Sequence, residues 1–176
     1  SIAFHDEALR EDTIKNWRPA LNPYGKRMAD CTFGVVGLGR IGTAAALRAK
    51  AFDMDVVFFD PYKPNGSELA LGIRRADSLE ELLAQCDIVS VHAPLNEETR
   101  NLIDAKSLAH AKKGIIIINT ARGGIIDVDA LHDALQDDTV LAAGLDVLPE
   151  EPAKLDRPLI EAWRNNAEWI KHRVLI

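Results

Sequence analysis

The sequence predicts one three-layer α/β/α domain built on a doubly wound parallel sheet, and three observations predict it. Short β-rich apolar runs alternate with helical stretches along most of the chain, a glycine-rich hexapeptide joins the first run to a strong helical pattern, and the later runs end in polar, loop-forming sequences. Elements alternating at this length specify parallel strands, because right-handed crossovers return each strand beside the last. The 176 residues amount to one ordinary domain, long enough to bury a sizeable core.

The first 17 residues carry a helical stripe of Phe4, Ala8, Leu9, Thr13, Ile14 and Trp17, followed by a connector marked by Pro19, Asn22, Pro23 and Gly25. Such a stripe needs a partner surface from elsewhere. Residues 1–27 are therefore expected to be a crossing helix and connector, and residues 28–176 the domain proper. Strands are expected over 32–37, 56–60, 87–92, 115–119 and 141–147, with a short closing strand over 173–176. Helices are expected over 40–52, 78–86, 104–111 and 127–136, the second opened by a capping box of Ser78 and Glu81.

Composition narrows the partners. The chain is 47% apolar and 27% charged, with a net charge of −6 and pI near 5.4. It lacks the basic field that nucleic acid or anionic lipid requires, so a small molecule is the expected partner. No window approaches the ~18 apolar residues of a membrane span, and the first 15 residues have no continuous apolar core of the kind a signal peptide needs. Cys31 and Cys86 have no CxxC or Cys/His ligand spacing, so buried thiols are expected rather than a disulfide framework or a metal site. A cytoplasmic location follows as the expectation.

In sheets of this class ligands bind at the carboxyl ends of the strands. There the first strand runs into Gly37-Leu38-Gly39-Arg40-Ile41-Gly42, a GxGxxG pattern whose glycines permit a tight turn, a close approach of pyrophosphate and close helix packing, at a helix N-terminus that attracts phosphate. Asp60 follows 18 residues after Gly42, where a carboxylate can accept hydrogen bonds from an adenosine ribose and repel a ribose phosphate. That selects NAD over NADP, although Lys63 nearby could soften the selection. Asp60-Pro61 would equally begin a loop in any protein. Later strand ends carry His92-Ala93-Pro94-Leu95, then Asn119 to Gly124, then Asp146-Val147 with Glu150-Glu151-Pro152. Arg122 can present a planar fork to a substrate carboxylate or serve a structural ion pair. Glu151 can tune a histidine or be a solvated loop residue.

GLGRIG, the Asp60 spacing, VHAPLNEETRNLI, INTARGGIIDVDAL and AAGLDVLPEEP, in this order, resemble the NAD-binding Rossmann domain of the D-isomer-specific 2-hydroxyacid dehydrogenases from Met28 to Ile176. Within that family the tail PLIEAW…EW…RVLI is more similar to the branch of C-terminal-binding-protein relatives than to the phosphoglycerate dehydrogenases. The resemblance implies that Arg122 binds the substrate carboxylate and carbonyl, and that Glu151, not its neighbour Glu150, pairs with the catalytic histidine. It places the backbone of Arg40 and Ile41 at the pyrophosphate and Asp60 at the ribose. His92, Pro94 and Thr99 form a wall beside the cofactor, Thr120 and Ala121 line the nicotinamide side, and Asp146 holds the nicotinamide amide. Leu148 stands where an aromatic residue is common, a change that bears on packing more than chemistry.

The family's histidine lies in a Thr-Pro-His type sequence just past the strand that ends the domain, and this chain stops at Ile176. The expectation is therefore a fragment that binds NAD(H) but turns over little. The substrate domain and the acid/base lie outside it, and the parent is expected to be a homodimer acting on a small 2-hydroxy or 2-oxo acid. His172 precedes the last strand and is left about 13 Å from the active edge. His5, His110 and His132 fall on or near helices and are expected to be structural. Two alternatives stand beside the dehydrogenase: an NADH-responsive, dimerising corepressor-like protein with little catalysis, and a domain for another adenine-containing ligand such as S-adenosylmethionine.

Overall fold

A computed structural model of the chain describes residues 26–176. The helix expected over the first 17 residues lies outside the described residues. A 3-10 turn, Met28–Asp30, leads into β1, Thr32–Val36, and α1, Arg40–Ala51. The chain continues through β2, Asp55–Phe59; α2, Ser67–Leu71; β3, Arg74–Arg75; α3, Leu79–Gln85; and β4, Ile88–Val91. It ends with α4, Ala105–Leu108; β5, Ile115–Asn119; α5, Val128–Gln136; β6, Val140–Leu145; α6, Pro158–Arg164; and β7, Val174–Leu175.

The seven strands of the described residues are all parallel and lie in the order β3-β2-β1-β4-β5-β6-β7. The direction of winding reverses between β1 and β4, which opens a crevice between their loops at the carboxyl edge. Two apolar clusters occupy the two faces. Val35, Leu38, Ala46, Ala49, Val56 and Phe58 pack under α1; Leu79, Leu82, Leu83, Ile115, Ile117, Leu131 and Leu135 join α3 and α5 to the other face. Along β5, Ile115, Ile117 and Asn119 are buried while Ile116 and Ile118 are half-buried, the period-2 signature of a strand whose two faces see different neighbours. Small residues, Gly42, Ala46 and Ala49, form the buried face of α1, and a Cβ on Gly42 would stand 2.0 Å from the Gly37 carbonyl oxygen.

The expected strands match within two residues at each end, and 115–119 matches fully. The helix expected over 104–111 is shorter, because Asp104 caps it and the chain turns after Leu108 toward β5. Ser78 caps α3 by accepting from the Glu81 N–H, but the Glu81 carboxylate accepts from the Asp77 N–H at 2.7 Å, one residue before the reciprocal position. The complete capping box is at Asp104 and Ser107. Both cysteines are buried, and burial pushes the Cys86 thiol up to about 12. Among the described residues no helix is long and apolar enough to cross a membrane.

Candidate functional site

Register assembles the site. Val36, Phe59, Val91, Asn119 and Leu145 are aligned across β2, β1, β4, β5 and β6 as one continuous row of partners. The residues immediately beyond that row are Gly37, Asp60, His92, Thr120 and Asp146. Five of the residues nominated from the sequence thus leave the sheet at one level, on the edge where parallel sheets bind their ligands.

The glycines of the first turn do three different things. Gly37 has φ +91°, and a Cβ there would meet the Ala93 nitrogen at 2.8 Å, so it serves both the turn and the approach of the β4 loop. Gly42 lets α1 reach the Gly37 carbonyl. Gly39 has nothing within 4 Å of the Cβ it lacks, so its freedom serves neither turn nor packing but leaves room in front of α1. That helix start has no side-chain cap, whereas Ser78, Asp104 and Asp127 cap α3, α4 and α5. A groove of about 740 Å³ lies beside it, lined by Gly39, Arg40, Ile41, Ala44, Arg48 and His92 among others. An uncapped helix start with open space before it fits the diphosphate of a dinucleotide.

Asp60 closes the other side of this turn. Its Oδ2 accepts from the Leu38 N–H at 2.8 Å and its Oδ1 from the Tyr62 N–H at 3.0 Å. A carboxylate has about four acceptor positions, so ribose hydroxyls can still be accepted. His92 is half-buried with Nε2 3.0 Å from Ser90 Oγ, and burial lowers its pKa by disfavouring the charged ring. Pro94 is exposed beside it. Thr99 is spent on its own loop: its hydroxyl donates to the Pro94 carbonyl at 2.6 Å and accepts from the Asn96 N–H at 2.9 Å. Its side chain shapes the turn that carries Pro94.

Beyond β5, Asn119 folds the next turn. It is 1% exposed, its Oδ1 accepts from the Ala121 N–H at 3.0 Å, and its Nδ2 donates to the Arg122 carbonyl at 2.9 Å. Thr120 and Arg122 are left exposed on that turn, with Ala121 half-buried between them. Arg122 Nη1 donates to the Ala121 carbonyl at 2.6 Å, and the rest of the fork is available. A Cβ on Gly123 would stand 1.9 Å from the Leu148 carbonyl carbon, so this glycine presses the Arg122 turn against the loop leading to Glu151. A cavity of about 270 Å³ there is lined by Asp146, Leu148, Glu150, Glu151 and Ile176 among others. The two glutamates differ. Glu150 Oε1 accepts from Arg157 Nη2 at 2.9 Å and lies 3.3 Å from Lys154 Nζ, contacts that hold its carboxyl below the usual range; Glu151 is exposed.

The described histidines other than His92 lie elsewhere. His110 follows α4, His132 stands edge-on to Trp169 at 5.3 Å, and His172 precedes β7 at the amino edge. Sequence reasoning placed Asn119 at the active edge without a role, and did not nominate Ser90 or Arg157. For Asn119 a signal existed, since Asn side chains bond the backbone two residues on, and for Ser90 as well, since residues two apart share a strand face and Ser90 meets His92; Arg157 reaches Asp129 through a tertiary contact that no local pattern reveals.

Residues 2–168 match the family model of the D-isomer specific 2-hydroxyacid dehydrogenase, NAD binding domain. The chain is 47% identical over 156 residues to the D-3-phosphoglycerate dehydrogenase of Mycobacterium tuberculosis, covering 89% of this chain and 28% of that protein. It is 39% identical over 161 residues to the glyoxylate reductase of Korarchaeum cryptofilum, covering 89% of this chain and 47% of that one. The solved structure of Salmonella D-lactate dehydrogenase superposes with a TM-score of 0.78 at 31% identity, over 99% of this chain and 52% of that chain. The chain therefore spans about a quarter to a half of the length of these relatives.

Proposed function

This chain belongs to the D-isomer specific 2-hydroxyacid dehydrogenases through their NAD-binding domain, and from that premise we propose that the protein it forms part of oxidises or reduces a small D-2-hydroxy or 2-oxo acid. The common row of strand ends that presents Gly37, Asp60, His92, Thr120 and Asp146 carries the proposal. NAD supplies the nicotinamide that exchanges hydride with the substrate. Gly39, Arg40 and Ile41 hold its diphosphate at the uncapped start of α1, and Asp60 accepts from its adenosine ribose. His92 and Pro94 wall the cleft, and Thr120, Ala121 and Asp146 orient the amide end. The Thr99 hydroxyl supports that wall from within its loop.

Arg122 clamps the substrate carboxylate and polarises its carbonyl oxygen. Glu151 orients a histidine contributed from outside these 176 residues and raises its pKa, so that it gives or takes the hydroxyl proton. The engagement of Glu150 by Arg157 and Lys154 supports Glu151 for this task. The remaining layout is proposed with it: residues 1–27 link residues 28–176 to a substrate domain, and the protein is a cytoplasmic homodimer. The test is an assay of the full-length protein with NADH against a panel of 2-oxo acids. Activity is expected, and Arg122→Ala is expected to lower kcat/KM by about 10²- to 10³-fold. A full-length protein inert toward the whole panel overturns the reading.

A further inference from the structure

Tyr62 has no part in the core. Its side chain is exposed, with the residue 75% accessible, yet its hydroxyl donates to the Glu98 carboxylate, 36 residues away in sequence. Restraining an exposed ring against another loop costs side-chain entropy that water would not have demanded. The position of the bond explains its use. Tyr62 stands in the loop after β2 and Glu98 in the loop after β4, and those strands flank β1 on its two sides. The bond therefore joins the two loops on either side of the carboxyl end of β1, where the Gly37–Gly39 turn begins.

Both ends of the connection are anchored. The Tyr62 N–H donates to Asp60 Oδ1, whose other oxygen accepts from Leu38 in the glycine turn. Glu98 sits in a turn closed on both sides by Asn96 and Thr99, with Asn96 Oδ1 accepting from the Thr99 N–H and Thr99 Oγ1 from the Asn96 N–H, each at 2.9 Å. Leu38, Asp60, Tyr62 and Glu98 thus connect the loops after β1, β2 and β4. A single exposed hydrogen bond opens at small cost, as a closure that must admit and release a ligand requires.

We propose that Tyr62 and Glu98 form a clasp over the adenosine half of the dinucleotide site, opening to admit the cofactor and closing to slow its departure, with the tyrosine ring as the wall beside the purine. The proposal rests on Asp60 marking the ribose, as proposed above. Tyr62 is a positioning residue and touches no reacting atom.

Stopped-flow displacement of NADH from the wild type, Tyr62→Phe, Glu98→Ala and the double variant tests it. Each single change is expected to raise the NADH dissociation rate about three- to tenfold, the range of one net hydrogen bond at an exposed site. The double variant should do no more, because both changes remove one bond. ADP-ribose should weaken in parallel, while nicotinamide mononucleotide, which lacks the adenosine, and the thermal midpoint should not change. Unchanged dissociation rates, additive effects in the double variant, or an equal loss for nicotinamide mononucleotide overturn the clasp. Asp60→Ala separates the two readings. If it weakens ADP-ribose while the clasp variants behave as wild type, only the clasp falls; if it leaves ADP-ribose unchanged, the adenosine site falls and the clasp with it.

Discussion

The two edges of the sheet treat polar groups in opposite ways. At the amino edge Asp87 is 6% exposed and fully engaged: Lys26 and Lys112 each place Nζ 2.9 Å from Oδ1, and the Thr32 N–H donates to Oδ2 at 3.0 Å. Arg173 spends its guanidinium there on the carbonyls of Leu135, Val140, Leu141 and Trp169 and on Asp138. At the carboxyl edge Arg122, Asp146 and Glu151 are exposed, Asp60 holds one backbone donor per oxygen, and α1 begins without a cap. Groups that hold the fold together have their partners inside it, because an unanswered buried charge is costly. Groups poised for a ligand keep bonding capacity in reserve.

The largest expected break in this contrast is Gly42→Ala. Its Cβ would overlap the Gly37 carbonyl oxygen at 2.0 Å, with backbone rather than a flexible side chain to displace. The change should cost about 3 kcal/mol or more of stability, read as a lower urea midpoint, and should loosen the first turn. A midpoint within error of wild type would mean that α1 is not seated against that turn.

Next in size is the amino edge itself. Burial alone would raise the Asp87 pKa, but the Thr32 N–H and the two lysines outweigh it and hold the carboxyl at about 2, against 3.8 for the ordinary side chain. A folded-state pKa below the unfolded one contributes stability that is complete above the unfolded value and is lost as pH falls from about 4 to about 2. The contribution is about 2 kcal/mol. Asp87→Asn should remove most of it at pH 7 and flatten urea midpoints between about pH 4 and pH 2. NADH affinity at pH 7 should stay unchanged, since Asp87 lies at the other end of the strands. A large loss of affinity would show that the two edges are coupled.

The same contrast explains what the sequence made legible. Five strands with strong apolar runs, and the chemistry at their ends, could be read because a parallel strand buried among others needs a continuous hydrophobic signal. β3 could not: it is two arginines at the sheet edge, held by pairing with Val57 and Phe58, with Arg75 stacked 5.0 Å over the Phe58 ring. α2 was hidden between Gly66 and Gly72, both at positive φ, which read as loop. α6 begins with Pro158 at its first turn, and its PLIEAW sequence was legible only as a family motif. The site's residues were legible one by one, but their commitments depend on how each loop folds back on itself: Thr99 turns onto Pro94 within its own loop, and Glu150 is held by Arg157 from the start of α6.

The smallest effects on stability come from helix starts at the carboxyl edge, and they sharpen the distinction most. Ser78 caps α3 by accepting from the Glu81 N–H at 3.1 Å, so Ser78→Ala should cost about 1 kcal/mol and leave NADH affinity alone. Gly39 is the corresponding residue of α1, with φ −76° and ψ −164°, a backbone any residue can adopt, and open space where a side chain would go. Gly39→Ser should therefore supply the missing cap and stabilise the protein by a few tenths of a kcal/mol, on the order of the usual Gly-to-Ser difference at such positions. The new hydroxyl would take the N–H donors and the space proposed for the diphosphate, so NADH affinity should fall about tenfold, the loss of roughly one charge-assisted hydrogen bond. Urea unfolding and an NADH titration of this one variant should move in opposite directions. If affinity is retained while stability rises, the diphosphate does not sit at the start of α1.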